Sequence, residues 1–222
     1  GEAGRLESTR GVLQRAGCKP GAVFGDWTDR EAYRIILEQD LAAVQAVVEE
    51  VAGDLLAESS TQLVSDAVEG FNAVHDLCYV IAESAVAIAS RRAPRPLEHL
   101  FFPLEAAPAE RIGDAGAGRV QVCLDASALE RKLEAARAYP ELRAEVDRAV
   151  LAHSTEGFGV EVLTEAAQNG DLLAMAAPRG GAPSYEVFGE RRVADGIYRQ
   201  VLRLQEHWWP LARSIRRWAR TQ

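Results

Sequence analysis

"DAVEGFNAVHDLC", residues 66–78, decides how the chain is read. Its first eleven positions, 66–76, hold Asp66, Glu69, Asn72, His75 and Asp76, and an apolar run from Leu77 to Ala89 follows. Just before it, Thr61 to Ser65 has the composition of a short strand. Strand, polar loop and buried helix in that order form the unit of an α/β sheet, where ligands bind in loops leaving the carboxyl ends of strands. The helix is predicted from about Val74, so His75 falls near its start with Asp76 beside it. A carboxylate next to an imidazole can fix its tautomer and raise its basicity, a common arrangement around a metal. Asp66, Asn72 and Asp76 are equally the residues that cap helix N-termini.

Working outward from this stretch, helical and strand patterns alternate. Residues 5–16 carry Leu6, Val12, Leu13 and Ala16 on one stripe and predict an amphipathic helix. Ala22 to Phe24 predicts a short strand, and "GDWTDREAY" (25–33) a loop entering a helix. Thr28 and Glu31 have the spacing of a capping box. Ile35, Ile36, Leu41, Val44, Val47 and Val48 extend that helix to about Val51. Beyond the central motif, "LEHLFFPL" (97–104), "RVQVCLD" (119–125) and "FGVEVL" (158–163) predict strands. The glycine-rich "GDAGAG" (113–118) leads into a strand rather than a helix, so it is no dinucleotide fingerprint. Helices are predicted over Ala126–Ala138 and, with Pro140 at a first-turn position, Glu141–Ala152. A surface loop is expected over Gln168–Ser184, then a long helix from about Glu186 to His207, then a short basic helix after Pro210. The alternation predicts an α/β fold, a mostly parallel sheet with helices on both faces, in a single domain over 1–222.

Composition narrows the function. The formal net charge is −8, which argues against a nucleic-acid partner. Cys18, Cys78 and Cys123 are odd in number and form no CxxC, so neither a disulfide framework nor a cysteine zinc site is expected, and a reducing cytoplasm suits them. The apolar run 77–89 is broken by Glu83 and is expected to be too short for a membrane span. His99 lies on an apolar strand and is expected to be packed. His153 and Glu156 have a weak HxxE spacing. His207 beside Trp208 and Trp209 is expected at the end of the long helix, where a histidine suits the dipole. Arg213, Arg216, Arg217 and Arg220 are predicted on one helical face, solvated or against an acidic neighbour. Trp27 and Asp29, on a loop after a strand candidate, could line a sugar site or merely cap and pack the helix entrance.

"DAVEGFNAVHDL" resembles the second metal motif of the PIG-L (LmbE-like) deacetylase family, an EGxHPxHD-type segment after a strand. "LERKLEAARAYPEL" (129–142) and "PSYEVFGERRVADGIYRQVLRLQEHWWP" (183–210) resemble the C-terminal half of its bacterial members, and "GVLQRAGC…GDWTDREAY" the elements before it. The resemblance implies a Rossmann-like, zinc-dependent hydrolase that removes an acyl group from an N-acylated amino sugar or related amide. By it, His75 is a metal ligand, Asp76 its support, and Asn72 stands where many members place a histidine contacting the substrate carbonyl. Trp27, Asp29, Asp66 and Glu69 are the candidate substrate contacts. The family's opening HPDDE-like segment, with its central strand, two metal ligands and general base, has no counterpart in the sequence. The expected accounts are a fragment of a longer enzyme, a strand supplied by a second chain or a homo-oligomer, or a sugar-binding or structural member without chemistry.

Overall fold

The computed structural model describes residues 2–105, 118–167, 170–177 and 181–222. The chain divides into two units, residues 27–105 with 165–222 and residues 1–26 with 106–164. The predicted "GDAGAG" loop lies mostly outside the described residues, as do parts of the 168–184 loop.

In the larger unit Thr28 caps a helix, Asp29–Glu38, in the predicted manner. The Glu31 amide donates to Thr28 Oγ1 at 3.1 Å and the Thr28 amide to Glu31 Oε2 at 2.8 Å. The single helix expected to reach Val51 is corrected. Gln39 turns left-handed at φ 54, and Asp40 starts a new helix, Leu41–Ala57, by accepting the Ala43 amide at 3.1 Å. Taking the N-terminal helix Glu2–Arg15 as α1, these two are α2 and α3. Strand β1, Gln62–Asp66, leads into α4, Ala73–Ser90, and β2 follows at Glu98–Phe102. β1 and β2 pair in parallel, Leu63 opposite His99 and Asp66 opposite Phe102. Val44, Val48, Ala52 and Leu55 of α3 recur at helical spacing and bury one stripe, joining Leu77, Val80, Ala85 and Ile88 of α4 in one core. Helix α4 has a mean hydropathy of 1.3 over 18 residues, longer than the expected run, and 61% of that window is buried inside the protein.

The rest of this unit corrects the predicted long helix over 186–207. The described segment continues as α7, Leu172–Ala176, and α8, Ser184–Ala194. The chain then turns through Gly196, at φ 71, as an Asp-Gly pair favours. A π-helical turn, Leu204–Trp208, runs directly into α9, Trp209–Ala219, which carries Pro210 in its first turn. His207 therefore stands in this turn at the entrance to α9, where its Nδ1 accepts the Arg203 amide at 2.9 Å, and not at the end of a long helix. Trp208 is fully buried, and its indole N–H donates to the Ala73 carbonyl at 3.1 Å, clamping the start of α4. The arginine face divides between the two expected settings. Arg216 turns inward onto Glu83 in a two-pronged pair at 2.5 and 2.7 Å, while Arg213, Arg217 and Arg220 stay exposed.

In the smaller unit, α1 is followed by turns where Ala22–Phe24 was expected to be a strand. The Phe24 amide donates to Gly21 and the Arg10 guanidinium lies 5.3 Å from the Phe24 ring centre. Strands β3, Arg119–Cys123, and β4, Val160–Glu165, pair antiparallel, Arg119 opposite Thr164 and Cys123 opposite Val160. Between them run α5, Ala126–Arg137, capped by Asp125, and α6, Arg143–His153. Pro140 sits in a turn before α6 rather than in its first turn, with the Leu142 amide donating to Tyr139. The molecule is thus α/β, with a parallel pair of strands in the larger unit and an antiparallel pair in the smaller. The mostly parallel sheet expected from the alternation is corrected: helices between strands are compatible with either direction when the connected strands return antiparallel.

Candidate functional site

Asp66 ends β1, and the chain must then turn tightly to enter α4. Gly70 makes that turn at φ 68, and a Cβ there would lie 2.0 Å from the Ala176 carbonyl oxygen, so only glycine fits. Its own carbonyl accepts the Ser184 amide at 2.7 Å, tying the loop to α8. Asp76, on the first turn of α4, closes the loop from the other side. Its carboxylate accepts the Glu69 amide at 2.9 Å and the Gly70 amide at 3.2 Å. Only 1% of Asp76 is exposed, and this burial pushes its carboxyl up to about 7, with the two amide bonds pulling the other way.

Two further polar side chains of the motif are engaged in holding the backbone. Asn72 caps α4, its Oδ1 accepting the Val74 amide at 2.9 Å and the Tyr33 hydroxyl at 3.4 Å. Its Nδ2 amide bonds to no described residue and keeps two donors. Glu69 accepts the Leu104 amide at 2.7 Å and the Glu105 amide at 3.3 Å, pinning the chain that leaves β2. Trp27 is half-buried against the core, and Asp29 is exposed in the first turn of α2. Tyr33, one turn further along α2, is what reaches Asn72. Sequence reasoning missed it, although its four-residue spacing from Asp29 puts both on one side of the helix.

His75 is the exposed member of the group. Its Nδ1 lies 2.6 Å from Asp66 Oδ2, so the carboxylate that orients the ring is Asp66, and Asp76 serves the loop instead. A carboxylate can only accept, so Nδ1 carries the proton. Nε2, with no partner among the described residues, then offers its lone pair. The bond to Asp66 holds the imidazolium above its ordinary 6.5, against the opposing effect of burial; the nearby charges of Asp66, Asp76 and Glu69 add to the rise. The pair can act as a base at Nε2, or as a single metal ligand with its orienting carboxylate.

A catalytic zinc takes about three protein ligands and an open position. His75 fits one of them. Among the described residues no group of three or more His, Cys, Asp or Glu side chains is gathered that could hold a metal. At this junction the described residues therefore gather one imidazole with its orienting carboxylate and not a group of three. No protein family, curated protein or solved structure matches the chain.

Proposed function

We propose that the β1–α4 junction serves metal-dependent hydrolysis of an N-acylated amino sugar or related amide. In this reading His75 Nε2 is the metal ligand contributed by the described residues, and Asp66 fixes its ring. Asn72 Nδ2 is the donor available to a carbonyl oxygen that gains charge. The single observation that carries the reading is the 2.6 Å bond from His75 Nδ1 to Asp66, which leaves Nε2 without a partner among the described residues. Zinc would supply Lewis acidity for the amide; the remaining ligands and the base must come from outside the described residues.

A second reading, a sugar-binding or structural protein without chemistry, is favoured by a different observation. Glu69 and Asp76 spend their carboxylates on backbone amides, and Asn72 spends its carbonyl on a helix cap. Metal analysis of the purified protein, His75→Ala and Asp66→Asn separates the two. Under the first reading the protein carries a bound divalent metal, His75→Ala loses it, and Asp66→Asn weakens it by about 10- to 100-fold. Metal-free protein, or equal metal in His75→Ala, removes the hydrolase reading and leaves the second.

A further inference from the structure

At the other end of α4 the larger unit holds a cleft of about 710 Å³, a size ordinary for a small-molecule site. It lies between the C-terminal half of α4, the first residues of β2, residues 165–167 and the end of α9. Two of the residues that line it, Ser84 and His99, have buried side-chain atoms without a hydrogen-bond partner among the described residues: Ser84 Oγ and His99 Nδ1. Their exposures are 2% and 7%.

The chemistry of His99 follows from its neighbours. Ser65 Oγ donates to the Asp66 carbonyl at 3.0 Å, so toward His99 Nε2, 2.8 Å away, it acts as acceptor. Nε2 therefore carries the proton. Burial holds the ring well below its ordinary pKa, at about 4, so at neutral pH Nδ1 is a bare acceptor. The ring is held against Tyr79, with centroids 4.8 Å apart. A buried acceptor without a donor is costly, and native structures supply one from protein, water or ligand.

The rest of the lining defines what would fit. Val86, Leu97 and Ala166 give apolar walls, and the charged rim balances, with Glu83, Glu98 and Glu165 against Arg91, Arg216 and Arg220. Glu83 and Arg216 neutralise each other directly. We propose that this cleft binds a neutral small molecule with an apolar body and a hydroxyl or amide N–H, which donates to His99 Nδ1 and exchanges a hydrogen bond with Ser84 Oγ. Ser65 links His99 to the end of β1, but no residue lining the cleft belongs to the β1–α4 junction, and the proposal does not rest on the function proposed there.

The test titrates the ¹⁵N-labelled whole chain with cyclohexanol and, separately, with methoxycyclohexane, which has a similar body but no donor. Cyclohexanol is expected to shift the His99 Nδ1 resonance and to bind about five- to tenfold tighter than the ether. Ser84→Ala and His99→Phe should each bring the alcohol toward the affinity of the ether. Equal affinities for the two probes, or an unmoved Nδ1, would overturn the proposal and leave an ordered water as the occupant. Should His99→Phe fail to fold, the comparison of alcohol and ether on the unaltered chain and on Ser84→Ala still decides.

Discussion

The two ends of α4 use polar groups in opposite ways. At its start, Asp66, Glu69, Asn72 and Asp76 each hold a hydrogen bond, and what remains to do chemistry is one exposed imidazole nitrogen and one side-chain amide. At its far end the sequence is plain, yet Ser84 and His99 bury polar atoms with no partner among the described residues. Density of polar residues in a motif is therefore a poor measure of how much of it is free to act. Much of "DAVEGFNAVHD" is spent on building a turn, because a buried loop must satisfy its own amides. Two buried atoms at the far end break that rule, as the Tyr185 hydroxyl near Asp76 also does.

This contrast can be broken from either side. The largest effect is expected at the built end: Gly70→Ala forces a Cβ into the Ala176 carbonyl and a side chain into the left-handed region. It should cost about 3 kcal/mol or more in urea denaturation, and a loss under about 1 kcal/mol would mean that the loop is not tightly built. At the far end, His99 provides a pH signature. Its folded pKa of about 4 lies below the ordinary 6.5, so the unfolded chain binds more protons between these values and stability rises with pH there. The contribution is full above about pH 6.5 and is lost as pH falls through 4, amounting to about 3 kcal/mol. The stability difference between the unaltered chain and His99→Phe, followed from pH 4 to pH 7, should show that slope; a flat difference would mean that the ring is hydrated.

Smaller effects sharpen the assignment of roles at the start of α4. Asp76→Ala leaves the Glu69 and Gly70 amides without their acceptor and should cost about 2–3 kcal/mol, whereas Asp76→Asn keeps an acceptor oxygen and should cost about 1 kcal/mol. Equal losses in chemical denaturation would mean that the negative charge, not the acceptor, holds the loop. Asn72→Ala removes only the cap, worth about 1 kcal/mol. A much larger thermal destabilisation would give the Tyr33 contact more weight than its 3.4 Å length suggests.

Legibility followed the range of the interaction. The Thr28–Glu31 box is written within four residues and formed as predicted. The break at Gln39 was hidden, because a left-handed residue that is neither Gly nor Asn leaves no compositional mark. The break after α8 did leave one, Asp195-Gly196, within the span expected to be a single helix. At the site, the loop and the helix start were readable from strand and cap signals, but the partner of His75 was not. Asp76 is adjacent in sequence, yet successive helical residues point about 100° apart, and Asp66 at the strand end is the one within reach. Ser84 and His99 meet at the cleft only through tertiary structure, and each alone is an ordinary core residue.

The central claim is that His75 presents a free, basic Nε2 because Asp66 holds Nδ1. Long-range ¹H–¹⁵N spectra of the His75 ring, recorded through a pH titration and again with added zinc chloride, test it most directly. The account predicts an Nδ1–H tautomer at high pH, a pKa above 6.5, and a zinc-induced shift at Nε2 that Asp66→Asn diminishes. An Nε2–H tautomer with an ordinary pKa, unmoved by zinc, would contradict it.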